Sequence, residues 1–470
     1  MEKLNKISPF RLSSLLRLQK DPKLAFQLFL NPNPNDPNPS SKPFRYSPLS
    51  YDLIISKLGR AKMFDELEQI IQKLRQDTRI IPKEIIFCNI ITFYGRARLP
   101  QKALQMFDEI PSFRCQRTIN SVNSLLNSLS ICREFEKMRE VFVGVEKCAC
   151  PDACTYGILI KACCRQGDLG NALNLFDGML KRGILPSVVT FGTLINGFCA
   201  NAHLDDAFRL KRMMERDFKL KPNAFVYVVL LKGLCKSNVV DSAIKLKKEM
   251  MRKKVELDST VYATLISALF KVGRREDVFG LLDEMRINNC TMNTATYNAM
   301  IHGYCMEKDF DSAFGILNEM EAKGCKPDVI SYNVIIGGLC MAGKLKEANE
   351  LFEDMPRRKC FPDVVTYREL FDGLCDGMQL KEAALILDEM VFKGYLPRSS
   401  SICKLVDGLI RGEDTDRLWK VLSSLVKGKF SDMTTWSMVI SVVLNKDGLS
   451  NTCQFIDSLL KGTDDALSVL

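Results

Sequence analysis

The stretch VISYNVIIGGLCMAGKLKEANELFEDMPRRKCFPD, Val329 to Asp363, has a pattern that recurs on either side of it without a gap. TATYNAMIHGYCMEKDFDSAFGILNEMEAKGCKPD precedes it from Thr294 to Asp328, and VVTYRELFDGLCDGMQLKEAALILDEMVFKGYLPR follows from Val364 to Arg398. Each segment has 35 residues. Tyr297, Tyr332 and Tyr367 hold the fourth position of the unit, and Cys305, Cys340 and Cys375 the twelfth. Ala313, Ala348 and Ala383 hold the twentieth, and Met320, Met355 and Met390 the twenty-seventh. A period of this length marks a repeat architecture.

Two helical patterns fill each unit. In the unit from Thr294, Tyr297, Met300, Ile301 and Tyr304 recur at helical spacing and predict a helix over about 295–306. Phe310, Ala313, Ile316, Leu317 and Met320 predict a second over about 310–322. Gly324 followed by Pro327 is a stop signal. The small residue at position twenty lets helices approach closely. One unit cannot bury both apolar faces alone, so units must stack. The same frame yields units at 48–83, 84–118, 119–152, 153–187, 188–223, 224–258, 259–293, 294–328, 329–363, 364–398, 399–432 and 433–467. The expected fold is all-α, a right-handed superhelical solenoid of tandem helix-turn-helix repeats of about 35 residues.

Composition narrows the function classes. The formal charge of +10 suggests a polyanion partner, but residues 1–47 hold eight Lys and Arg against three Asp and Glu, so half of the excess lies there. That region divides in two. Residues 1–30 read as a basic, Leu- and Ser-containing transit peptide running into degenerate first helices, with a short capping helix on the array as the alternative. Residues 31–47 form a Pro- and Asn-rich linker. Several of the 18 cysteines recur at the repeat period, and they read as reduced packing residues. The longest apolar runs, such as Met438–Leu444, are too short to span a bilayer, so no membrane is expected.

The pieces VVTYRELFDGLC, AFGILNEM and KGCKPD resemble signatures of the pentatricopeptide repeat family, in its plain subclass of plant organellar proteins. The resemblance implies a groove lined by the first helix of each unit, which meets single-stranded RNA one base per unit. It implies that position five and the last residue of a unit contact the base. Three units then carry the pair Asn and Asp, which in the family favours uracil: Asn123 with Asp152, Asn298 with Asp328, and Asn333 with Asp363. Weaker contacts are expected from Gly157 with Ser187, Gly192 with Asn223, Val228 with Asp258, and Ala263 with Asn293. Arg165, Lys236 and Lys271, at position thirteen, would reach phosphate. Helix capping is an alternative role for each Asp, and one Asp can do both. Partners expected are single-stranded RNA and RNA-processing proteins, in the mitochondrion or, alternatively, the chloroplast. A protein-binding scaffold that uses the same groove is the other function class.

Catalysis and cofactors are not expected. The two histidines, His203 and His302, begin no H-x-E motif, and no C-x-x-C occurs, so the zinc deaminase signature is missing. No phosphate-binding G-x-x-x-x-G-K-[ST] loop is present. Catalytic residues, metal ligands and small-molecule substrates are therefore expected to be none.

Overall fold

Helix ends in this chain are written locally. Asp328 caps the helix Val329–Met341: its side chain accepts from the Ser331 amide, and the Ser331 hydroxyl accepts from the Asp328 amide in return. Tyr332, Ile335, Ile336 and Leu339 follow at helical spacing and are all buried. The second helix of that unit, Leu345–Asp354, buries Leu345, Ala348, Leu351 and Phe352. In the preceding unit the helix Phe310–Ala322 ends at Gly324, whose φ of 76° is left-handed. The Gly324 amide donates to the Glu321 carbonyl and the Cys325 amide to that of Met320, closing a Schellman turn that a side chain at Gly324 would strain.

The computed structural model describes residues 7–32, 44–145, 149–427 and 436–437. Among them are twenty-four α-helices, one short 3-10 helix and no strand. The chain is an all-α solenoid of helix-turn-helix units. The helices predicted at about 295–306 and 310–322 are Thr294–Met306 and Phe310–Ala322. Most of the unit placed at 433–467 and most of the linker lie outside the described residues.

Two compact parts divide the chain, Met1–Leu230 and Leu231–Leu470. In the first part, the first helices Glu84–Arg96, Ile119–Cys132, Ala153–Gln166 and Val188–Ala200 pack in series. In the second part the series runs Ser259–Lys271, Thr294–Met306, Val329–Met341, Val364–Asp376 and Ser399–Arg411. The periodic residues form the seams. Ala172, Ala207, Ala243, Ala313, Ala348 and Ala383 are fully buried, as are Met320, Met355 and Met390. At position ten a glycine meets the position-twelve residue of the preceding unit. A Cβ added to Gly373 would stand 2.5 Å from Cβ and Sγ of Cys340. That contact explains a glycine inside a helix, where it costs about 1 kcal/mol against Ala.

The N-terminal helices Pro9–Leu18 and Pro22–Leu30 pack on Pro48–Ala61. Leu12, Leu16, Ala25 and Phe29 are fully buried there, and the Ser13 hydroxyl lies 2.9 Å from that of Ser50. That is where a capping helix would sit. Phe10 and Leu18 are exposed, so the apolar residues of this segment do not share one face. Leu12 and Leu16, one turn apart, are buried in the seam together with Ser13.

Candidate nucleic-acid interface

Successive residues of an α-helix advance about 100°, so positions nine and thirteen of a first helix each fall within about 20° of position two, on either side of it. Position five lies about 60° aside. This face is the open one. At position two, Ile85, Val189, Phe225, Ile330 and Val365 are exposed although large and apolar. Scattered exposed apolar residues need no explanation, but recurrence at one position of a repeat does. All five occupy one register of the repeat, which the period alone could have picked out.

The three Asn–Asp pairs are in contact. The Nδ2 amide of Asn123 donates to Asp152 Oδ1 at 3.2 Å, that of Asn298 to Asp328 Oδ1 at 3.1 Å, and that of Asn333 to Asp363 Oδ1 at 3.2 Å. All three asparagines are half-buried. A third residue completes the arrangement. Thr155 Oγ1 donates to Asn123 Oδ1 at 2.8 Å, and Ser331 Oγ to Asn298 Oδ1 at 2.6 Å. The hydroxyls belong to position three of the following unit. Sequence reasoning missed them, although Thr155, Thr190, Thr296, Ser331, Thr366 and Ser401 recur at the period and are all buried. Asn333 lacks this bond: its Oδ1 is buried without a partner.

Each of the three aspartates also caps the helix after it, by accepting from the position-three amide on the same Oδ1. Capping and amide orientation therefore coexist. Burial by itself would raise the Asp152 and Asp363 carboxyls. The hydrogen bonds from Thr155 and Asn123, and from Thr366 and Asn333, outweigh it and hold both below the ordinary carboxylate value. A depression of about 640 Å³ lies over Asn123 and Asp152, lined also by Ile85, Asn120 and Asn127.

The other expected pairs do not form this contact. Gly157 and Gly192 offer no side chain, and Ser187 and Asn223 serve as caps, accepting from Thr190 N and Val226 N. Asp258 caps Val261. The Asn293 amide turns to Ser259 Oγ at 2.7 Å, away from the alanine at 263. The cations Arg165, Lys236 and Lys271 are exposed on the open face, and none of their side chains has an ion pair or hydrogen bond with another described residue.

Burial pushes the position-twelve thiols up to about 12 at Cys164, Cys199, Cys305, Cys340 and Cys375, which keeps them protonated packing groups. Among the described residues no group of three or more His, Cys, Asp or Glu could hold a metal ion. No described helix is long and apolar enough to cross a membrane.

Comparison with known proteins bears on this surface. A family model described as "PPR repeat family" matches residues 151–200, 186–236, 222–271, 257–306, 292–341 and 327–376. A second, "PPR repeat", matches 85–115 and 365–395, and together they cover more than half of the chain. A putative pentatricopeptide repeat-containing protein of Arabidopsis thaliana is 47% identical over 247 residues, covering 45% of this chain and 52% of its own. A mitochondrial pentatricopeptide repeat-containing protein of the same plant is 34% identical over 143 residues, 30% of this chain and 35% of its own. The chain thus spans about half the length, or less, of these curated relatives. The crystal structure of the pentatricopeptide repeat protein PPR10 from maize superposes with a TM-score of 0.59 at 20% identity, over 98% of this chain and 70% of that one, a likeness of fold.

Proposed function

The chain belongs to the pentatricopeptide repeat family, and from that premise we propose that it binds single-stranded RNA in an organelle, one base to a unit. One observation carries the reading. In three units an asparagine amide on the open face is held by the last aspartate of the same unit, at 3.1–3.2 Å. An amide fixed in orientation offers one donor and one acceptor, the complement of a uracil edge. Fixing it before binding lowers the ordering cost of recognition. The exposed apolar residues at position two supply flat surface beside each base.

The array proposed is twelve units over 48–467, with the protein N-terminus at the RNA 5′ end. Four units between 153 and 293 lack the pair, so the footprint reads 5′-U-N-N-N-N-U-U-3′. Asn123, Asn298 and Asn333, with Asp152, Asp328 and Asp363, contact bases. Arg165, Lys236 and Lys271 contact phosphates. The protein acts by occupying RNA, shielding it or recruiting processing proteins, with no chemistry of its own. Relatives whose names include the mitochondrion favour that organelle over the chloroplast. Crosslinking with sequencing of the bound RNA, paired with selection from randomised RNA, tests the proposal. Uracil enrichment at those three spacings is expected. Its lack would overturn the base assignment, and a protein partner retained after nuclease treatment would favour the scaffold.

A further inference from the structure

The units that hold an Asn–Asp pair carry no cation on the open face, and most of those that lack the pair carry one. Position thirteen is Ile131, Met306 and Met341 in the three paired units. It is Arg165, Lys236 and Lys271 in three of the four units between them, with Ala200 in the fourth. Two further cations, Lys161 and Lys232, stand at position nine, one turn before Arg165 and Lys236 on the same helices. All five are exposed. Arg60 and Arg96, at position thirteen of two more units without the pair, are exposed as well.

These cations are uncommitted. The helices Ala153–Gln166, Val188–Ala200, Ala224–Lys236 and Ser259–Lys271 contain no Asp or Glu. Nothing on their own helices neutralises Lys161, Arg165, Lys232, Lys236 or Lys271, and none of the five pairs with another described residue. The contrast with the last described units is direct. There Arg398 is bound by Asp372 and, at 3.1 Å, by Glu369. Lys404 is bound by Asp376, Arg411 by Asp407 at 2.6 Å, and the Arg368 guanidinium by the Leu396 carbonyl at 2.8 Å.

We infer that affinity and sequence preference reside in different repeats, with Lys161 and Arg165 in the first part and Lys232, Lys236 and Lys271 in the second serving as phosphate anchors that read no base. The inference rests on the RNA reading above. A cation with no internal partner is free to displace the counterions of a phosphodiester backbone, and that release produces salt-dependent binding. An Asn–Asp pair is neutral towards salt but selective among base edges. The last described units, with their charges engaged internally, contribute neither.

The experiment uses the full chain and two fluorescein-labelled oligoribonucleotides, one carrying UNNNNUU and one of the same composition scrambled, titrated across a salt series. Each anchor removed should flatten the slope of log K against log salt by about 0.7, the single-strand increment. The combined variant Lys161→Gln, Arg165→Gln, Lys232→Gln, Lys236→Gln and Lys271→Gln should therefore lose a slope of about 3.5 and weaken on both RNAs equally, keeping the ratio between them. Asn123→Ala combined with Asn298→Ala and Asn333→Ala should erase the ratio and leave the slope unchanged. Circular dichroism checks that both variants keep their helix content. An unchanged slope in the five-fold variant, or a slope lost equally in the asparagine variant, overturns the inference while RNA binding stands. Failure of the unmodified chain to bind either RNA overturns the RNA reading itself.

Discussion

The units 329–363 and 364–398 are neighbours with one scaffold and two different open faces. Tyr332 and Tyr367, Leu339 and Leu374, and Ala348 and Ala383 occupy equivalent buried positions. On the open face, Val329–Met341 contains no charged residue and presents Asn333, held by Asp363. Val364–Asp376 presents Arg368, Glu369, Asp372 and Asp376, tied into ion pairs and hydrogen bonds with its own and the following unit. The difference teaches that stacking and recognition are separable in this fold. Seam positions see only other helices, so they converge on one set of residues. Face positions see solvent, so they are free to vary without cost to the stack.

The largest expected effect challenges the shared scaffold. Tyr332→Ala and Tyr367→Ala should each destabilise by roughly 3–5 kcal/mol, the range for large buried aromatic side chains. Urea unfolding curves should give two similar values, and a wide gap between them would show that the seams are not equivalent. Next, Gly338→Ala and Gly373→Ala should each cost roughly 1–3 kcal/mol by overpacking. The larger cost is expected at Gly373, where the new Cβ meets Cys340 at 2.5 Å against 2.9 Å from Cys305 at Gly338.

The faces are tested on RNA. Asn333→Ala should weaken binding to a uracil-containing target by about 1 kcal/mol, roughly fivefold, measured by fluorescence anisotropy. Arg368→Ala should change it by less. Converting the face, Arg368→Asn with Arg398→Asp, should add a uracil preference one base beyond the present 3′ end, and selection from randomised RNA would show it. The smallest effect is in pH. The folded-state pKa of Asp363 lies below its ordinary value of 3.8, so the stabilisation from its bonds is complete above that value and is lost as pH falls through the folded pKa. Asp363→Asn should flatten that acid limb of the unfolding profile, while the corresponding Arg398→Ala should leave it in place.

Seam residues were legible in the chain alone because each repeats at a fixed interval and packs on another member of the same series. Tyr297, Ala313 and Met320 needed only the period and a helical pitch to be placed in the interior. The position-two apolar residues, Ile85 and Phe225 among them, are equally periodic. Side-chain encounters about thirty residues apart were settled by tertiary packing. Stacking brings Thr155 to Asn123 and Ser331 to Asn298 while leaving Asn333 Oδ1 without a donor. The sequence shows acidic residues in Val364–Asp376 and none in Ser259–Lys271, but only packing shows that Arg398 reaches Asp372 while Lys271 meets no described ion-pair partner. Helix formation follows from local periodicity and caps. Whether a polar group on the surface is engaged or available depends on where the next repeat places its partners.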